Sequence, residues 1–447
     1  MRDIALTLFV LGGLIPAIKW PWIGATMFAW LSIMNPHRLT WSFAQNQPFA
    51  ALVAACTLFG WIISREPKRF PLMPLSALVL VFAAWVSLTT VLAISPADAM
   101  IYWKRTMKIF LMVAITMTLI TDEKRLRVVI WVVVMSLSFF GIKGGLFTAN
   151  TGGGGIVLGP FGSYIAENNA LALALTMCVP LVRYLQVVEK RHWIRWALIA
   201  AQALMVLSIV GSFSRGAFLA ISVMLFALFV RSRQKLLVGL LGIGFVFVIV
   251  PFMPAAWHER MSSIQDYEQD ASAQGRFMAW NFAYRLALDR PLVGGGFNVN
   301  ENVPLFFHYV PDADRVRSPH SIYFEVLGYH GFVGLLLFLA IGISLLRTCG
   351  TLIRIGKLRP EFAWARELGA MVQVSAIGYA TGGAFLNLAF FDFYYYVIAI
   401  VVCARFILAK KLSDEERIRV GLPRRAFADP APVAQPSPAA RGSYGPR

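Results

Sequence analysis

The chain is 447 residues long, 58% hydrophobic and 14% charged, with a net charge of +18. A soluble domain carries about 25% charged residues, and no soluble core holds this many apolar runs, so a soluble fold is excluded. The charge does not call for a nucleic-acid partner: Lys and Arg concentrate in short loops between apolar runs, the positive-inside pattern of a membrane protein.

From the N-terminus, residues 1–3 are weakly charged and no small-residue cleavage site follows residues 4–10, so this segment reads as a retained membrane helix rather than a signal peptide. Residues 4–34 read either as one long broken helix or as two short spans meeting between Pro16 and Pro21. A single span, which places the N-terminus inside, is preferred. Further spans are expected near 48–64, 72–94, 103–120, 126–146, 168–187, 194–212, 215–231, 235–254, 320–346, 366–387 and 389–409, for about twelve transmembrane helices in all. The runs are continuous rather than alternating, and lipid requires each backbone group to be paired within its own segment. The fold class is therefore an all-α polytopic membrane protein. The basic loops, such as Lys124/Arg125/Arg127 and Arg231/Arg233/Lys235, mark the cytoplasmic side.

Two connections on the other side differ from these. Residues 148–167 are Gly-rich. Residues 255–319 hold six Arg, no Lys and eight acidic residues, with a helix-like stretch at 275–288 and a turn at 291–296. A long outer loop of mixed charge is often functional. The chain thus divides into transmembrane helices over 1–254, an outer loop with helices over 255–319, transmembrane helices over 320–410, and a cytoplasmic tail over 411–447 whose Pro, Ala and Arg content reads as disorder. Cys56, Cys178, Cys349 and Cys403 are isolated in or beside apolar runs and read as free buried thiols.

Candidate chemistry gathers at the outer boundary. His320 lies in Ser318-Pro319-His320-Ser321-Ile322-Tyr323, where the outer loop re-enters the membrane, with Pro319 suited to the first turn of a helix. An imidazole there can exchange a proton with a bound hydroxyl; an interfacial His without a role is the competing reading. Arg215 follows the turn Gly211-Ser212-Phe213-Ser214 between two spans, and either snorkels to the interface or aims a guanidinium at a phosphate. Arg276 opens the helix-like stretch of the outer loop, and Arg317 lies just before His320; each is either a solvated cation or an anion contact. Asp392 interrupts the aromatic stretch Phe390 to Tyr396, as a salt-bridge partner, an orienter of an Arg or a His, or a holder of a sugar hydroxyl. Lys104, Arg105 and Lys108 start a span from the outer side and can attract a lipid phosphate. Asp266-Tyr267-Glu268-Gln269-Asp270 has the look of a metal cluster but lacks the Gly and the terminal Glu of a calcium loop. No Walker loop, dinucleotide fingerprint or zinc motif occurs, and Gly294 to Gly296 reads as a turn.

The order of these pieces is more specific than any one of them. Arg215 after a Gly-Ser turn, Gly275-Arg276 with Trp280 in the outer loop, and Pro319-His320-Ser321-Tyr323 with Gly331 and Gly334 resemble the O-antigen ligase and polymerase superfamily over roughly residues 50–410. Trp20-Pro21-Trp22-Ile23-Gly24 and Met34-Asn35-Pro36-His37-Arg38 further resemble a subgroup of exosortase-associated O-glycosylation ligases. The resemblance implies a C-type glycosyltransferase architecture in a bacterial inner membrane, with a periplasmic active site and no metal or other cofactor. The donor would be an undecaprenyl pyrophosphate-linked glycan, and the acceptor lipid A–core or another glycan. Arg215 and Arg276 would hold the pyrophosphate, His320 would act as general base, and Asp392, Arg317, Tyr323, Lys104 and Arg105 would contact substrate or membrane lipid. Ser321 departs from the Asn that many members carry after the His. An O-antigen or exopolysaccharide polymerase shares the same constellation, and a lipid-linked glycan flippase is the alternative without chemistry.

Overall fold

The computed structural model describes residues 1–231, 235–262 and 271–419. Among them the chain is helical, with no strand. The helices are α1 (Arg2–Lys19), α2 (Pro21–Met34), α3 (Phe49–Ile63), α4 (Pro74–Val91), α5 (Pro96–Leu119), α6 (Glu123–Asn150), α7 (Asn168–Val188), α8 (His192–Val210), α9 (Arg215–Arg231), α10 (Lys235–Phe252), α11 (Ala255–Ser262), α12 (Ala271–Asp289), α13 (Val303–Tyr309), α14 (Ile322–Leu358), α15 (Ala363–Gly383) and α16 (Asp392–Arg419). The Asp266 to Asp270 cluster and the tail after Ala426 lie outside the described residues.

Local chemistry sets many of the starts. Pro21, Pro74 and Pro96 each open a helix, where the missing N–H costs nothing and the fixed φ is already helical. Asp122 caps α6, its carboxylate accepting from the Arg125 backbone N–H at 3.0 Å.

Six helices among the described residues are long and apolar enough to cross a membrane: α4, α6, α7, α8, α14 and most of α16. An 18-residue helix is about 27 Å long, close to the roughly 30 Å hydrocarbon core. The shorter α2 and α3 are also apolar. The chain is a multi-pass membrane protein. α7 and α16 form its centre, each with 83% of its apolar window buried, against 28% for α14 and 33% for α8, whose apolar surfaces remain for lipid. The centre is aromatic: Tyr395 meets Phe110 edge-on at 4.6 Å, and Tyr394 stacks on Tyr379 at 4.4 Å.

Residues 4–34 are not one helix. α1 and α2 are separate, with Trp20 extended between them and Pro21 at the start of α2. Pro21 has no N–H to continue the ladder, and the residue before a proline is driven out of the helical region.

The expected span 320–346 also differs. α14 is interrupted at Gly331 (φ 67°, ψ −171°), a conformation that is essentially Gly-only. The 291–296 turn docks into this break. Phe332 N–H donates to Pro291 O at 2.8 Å, while Gly295 and Gly296 N–H donate to Gly328 O and Tyr329 O at 2.9 Å each. The carbonyls that the break strands are satisfied from another segment, which is what makes a broken helix tolerable at membrane depth.

The two ends of the bundle differ. Near the start of α6, the Arg125–Glu66 pair at 2.7 Å, the Lys411–Glu123 pair at 2.9 Å and the Arg359–Glu415 pair tie the basic connections together. At the far end of α6, Val157 N–H reaches Gly211 O at 3.3 Å. The segments 151–167, 211–214, 290–321 and 384–391 gather there.

Candidate active site

The segment before α14 carries His320 in a left-handed conformation, φ 42°. Few non-glycine residues accept this, and such strain persists only where neighbours over-determine it. The neighbours are visible on both sides. Trp280 of α12 donates its indole N–H to Pro319 O at 2.7 Å and stacks on Phe324 at 4.9 Å. Asn387 accepts the Ser321 backbone N–H at 3.3 Å and donates to Ser318 Oγ. Pro319 is therefore not in the first helical turn: Ser321 is the N-cap and α14 begins at Ile322. His320 stands before the helix rather than on it.

Arg276 comes to His320 on α12, fastened by Trp280 one turn further along. The His320 imidazole is held below its ordinary value, first by burial and then by the positive charge of Arg276; Glu167 pulls the other way. His320 is thus neutral at pH 7 and able to take a proton. Arg317 lies against Gly275, where a Cβ would come within 3.1 Å of its guanidinium. Its Nη2 donates to both Asp314 oxygens at 2.9 and 3.0 Å. Its Nε is enclosed and has no acceptor.

Arg215 is the first residue of α9. It follows Phe213, which is also left-handed at φ 58°. Arg260 of α11 donates to Phe213 O at 3.0 Å and Trp257 to Val210 O at 3.1 Å, so α11 braces this turn. Asn168, at the start of α7, donates to Ser212 O at 2.7 Å. Gly216 packs on Phe385, a Cβ there falling 3.2 Å from the phenyl's Cβ. Phe385 is two residues from Asn387, so the α15–α16 connection joins the turn of Arg215 to the segment of His320.

The same connection continues into a second cluster. Ala389 N–H donates to the buried Glu325 carboxylate at 3.1 Å. Asp392 accepts from Ser32 at 2.5 Å and feels the charge of Arg105, whose guanidinium lies 3.6 Å over the Tyr164 ring. Asp392 thus accepts hydrogen bonds from Ser32 and from the Phe393 backbone N–H and lies within the field of Arg105. Lys104, Arg105 and Lys108 lie within α5, which begins at Pro96 about two turns before Lys104. Lys104 is exposed. Tyr323 donates its hydroxyl to Ala380 O at 2.8 Å, which pins α14 to α15.

Asn387, Glu167 and Tyr164 belong to these clusters without having stood out in the sequence. Asn387 ends the expected span 366–387, where a polar residue reads as a helix end. Glu167 and Tyr164 sit in the Gly-rich connection, whose composition signals a loop and nothing more. Among the described residues no group of three or more His, Cys, Asp or Glu is gathered for a metal ion.

The segment that holds Arg215, Arg276, Arg317 and His320 matches a known family. Residues 171–339 match a family described as O-antigen ligase. Residues 1–190 match a family of unknown function (DUF5935). No curated protein matches the chain. The O-antigen ligase match supports the superfamily resemblance seen in the motifs, and with it a ligase- or polymerase-type glycan transfer on lipid-linked substrates in general. It covers Tyr323 but ends before Asn387 and Asp392, while Lys104, Arg105 and Glu167 fall within the first match.

Proposed function

We propose that the chain is an O-antigen ligase-type glycosyltransferase of a bacterial inner membrane. It moves a glycan from undecaprenyl pyrophosphate to lipid A–core oligosaccharide at the periplasmic face. The observation that carries this reading is the fastening of Arg276 beside a neutral, half-buried His320 through the Trp280–Pro319 hydrogen bond.

In this reading His320 accepts the proton of the acceptor hydroxyl as that oxygen attacks the anomeric carbon. The bond from the anomeric carbon to the pyrophosphate oxygen breaks, and its electron pair leaves with the carrier. Attack opposite the leaving group inverts the anomeric configuration. Arg276 and Arg215 hold the pyrophosphate, and Arg317 offers its enclosed Nε to the same anion. Guanidinium groups bind phosphate oxygens with paired hydrogen bonds, and the benefit grows as charge builds on the leaving group in a partly dry site. The cluster of Asp392, Arg105, Tyr164 and Ser32 supports the segment that positions His320. Lys104 and Lys108 attract a lipid phosphate in this reading.

The test is reconstitution in proteoliposomes with purified undecaprenyl pyrophosphate-linked glycan. A new glycosidic bond to lipid A–core is the expected result. Chain growth on lipid-linked repeats alone would assign a polymerase instead. Glycan movement across the bilayer without a new bond would replace the enzyme reading with a transporter.

A further inference from the structure

A second polar feature lies beside the candidate active site and is used by none of the steps above. The α4–α5 corner and the 298–302 segment enclose a cleft of ≈ 350 Å³, lined chiefly by Ser95, Asp98, Tyr102, Asn298, Glu301 and Asn302. Ligand clefts run from roughly 300 to 1,000 Å³, so this one has room for a sugar ring or two. Six of its seven lining residues carry hydrogen-bonding side chains, Ile101 being the exception, whereas a larger groove between α1, α2 and α6 is apolar.

The cleft is braced. Ile94 N–H donates to Gly295 O at 2.9 Å, and Arg290 donates to Leu92 O at 2.6 Å. These bonds fix the α4–α5 corner to the turn that docks into the α14 break. Tyr329 donates its hydroxyl to Asn300 at 3.0 Å, which holds the 298–302 segment from below. Asn302 reaches Ser95 at 3.4 Å across the cleft. These bonds fix the backbone that carries the lining side chains, which lowers the ordering cost of binding.

The chemistry of the walls is selective. Burial raises the Tyr102 phenol and Glu301 and Asp98 raise it further, while Arg105 opposes them from one turn along α5; no Lys or Arg is among the residues that line the cleft. In a chain of net charge +18, a cleft lined by two carboxylates and by no Lys or Arg is a local reversal of sign. Carboxylates accept hydrogen bonds from hydroxyls and ammonium groups, Asn side chains donate and accept, and an aromatic face packs on the C–H face of a pyranose. The same carboxylates repel phosphates and acidic sugars. Tyr102 lies one helical turn from Arg105, so the cleft adjoins the cluster that supports the His320 segment.

We propose that this cleft is a saccharide subsite that takes rings of a neutral or amino-bearing glycan and excludes acidic ones. Resting on the glycan-transfer reading, it would hold sugar units of the acceptor or donor away from the reacting bond.

The experiment uses the full-length protein in nanodiscs and three trisaccharide probes: chitotriose, its deacetylated amino form, and trigalacturonate. Saturation-transfer NMR reports binding without turnover. The wild type is expected to bind the first two and not the third. Tyr102→Ala is expected to weaken chitotriose at least tenfold. The Asp98→Asn/Glu301→Gln pair is expected to weaken the amino form at least tenfold and to admit trigalacturonate. Equal binding of trigalacturonate by the wild type, or unchanged binding by both variants, overturns the subsite. Glycan transfer measured in parallel separates the two claims. Transfer that persists with an unchanged saccharide KM in both variants overturns the subsite alone. Absence of transfer by the wild type while the probes bind as stated overturns the transferase reading and leaves a glycan-binding cleft.

Discussion

The Trp280 indole donates to the Pro319 carbonyl at 2.7 Å. One hydrogen bond thus joins the helix that carries Arg276 to the residue before His320. It fixes a cation and a base in one frame, and it does so at a point where the backbone of His320 is left-handed.

Trp280→Phe removes that hydrogen bond while keeping an aromatic ring to stack on Phe324. We expect glycan transfer to fall by about fivefold, in line with a net hydrogen bond of about 1 kcal/mol. Trp280→Ala loses the stacking as well and should fall further. Turnover equal to wild type in Trp280→Ala would show that the fastening is irrelevant to the reaction.

The charge on His320 is set by burial and by Arg276, with Glu167 opposing. The imidazole of the folded chain lies below its ordinary 6.5, so the acid limb of a pH–rate profile should fall below that value. Arg276→Gln removes a positive neighbour and should move the limb upward; Glu167→Gln should move it downward. Between 6.5 and the folded value the native chain binds fewer protons than the unfolded one, so lowering the pH through this window also costs stability. Limbs that shift in the opposite directions would contradict the assignment of His320 as the titrating group.

Asn387 holds both flanks of His320 through Ser318 and Ser321. Asn387→Ala leaves the buried Ser321 backbone N–H without its acceptor, a cost of about 1–3 kcal/mol. The expected effect is a drop in kcat with little change in donor KM, because the base moves while the cations stay. Asn387→Asp keeps an acceptor for Ser321 and should recover part of the loss. Identical rates for the two variants would argue against a positioning role.

Gly331 holds the break in α14, and a Cβ there would lie 2.4 Å from Leu292 O. Gly331→Ala should destabilise the protein by about 1–3 kcal/mol through backbone strain alone, with more from displacing the docked turn. Thermal unfolding in detergent should show a lower midpoint. An unchanged midpoint would mean that the break is not held by this residue.

Much of the fold was legible in the sequence because an apolar run of membrane length has one way to pair its backbone. α7 matches its expected span to within a residue for that reason. The break at Gly331 was not legible, since what stabilises it is a turn some 35 residues earlier in the chain, and a glycine alone does not announce its φ. The α1–α2 break lay between two readings that composition does not separate. In the site, His320 and Arg276 were legible as a motif. Asn387 and Glu167 were not, because each acquires its place only when distant segments meet. Asp392 stood out as a carboxylate among aromatics, yet its hydrogen bond from Ser32 and its nearness to the charge of Arg105 are set by tertiary packing that no local pattern encodes.

The central claim is that His320 is the base of a glycan transfer. Its most direct test is His320→Ala, expressed in cells that make the lipid-linked glycan and read on lipopolysaccharide gels, with membrane level and thermal midpoint measured alongside. Loss of the glycan-bearing species at wild-type abundance and stability is the predicted result. Full transfer by that variant would contradict it.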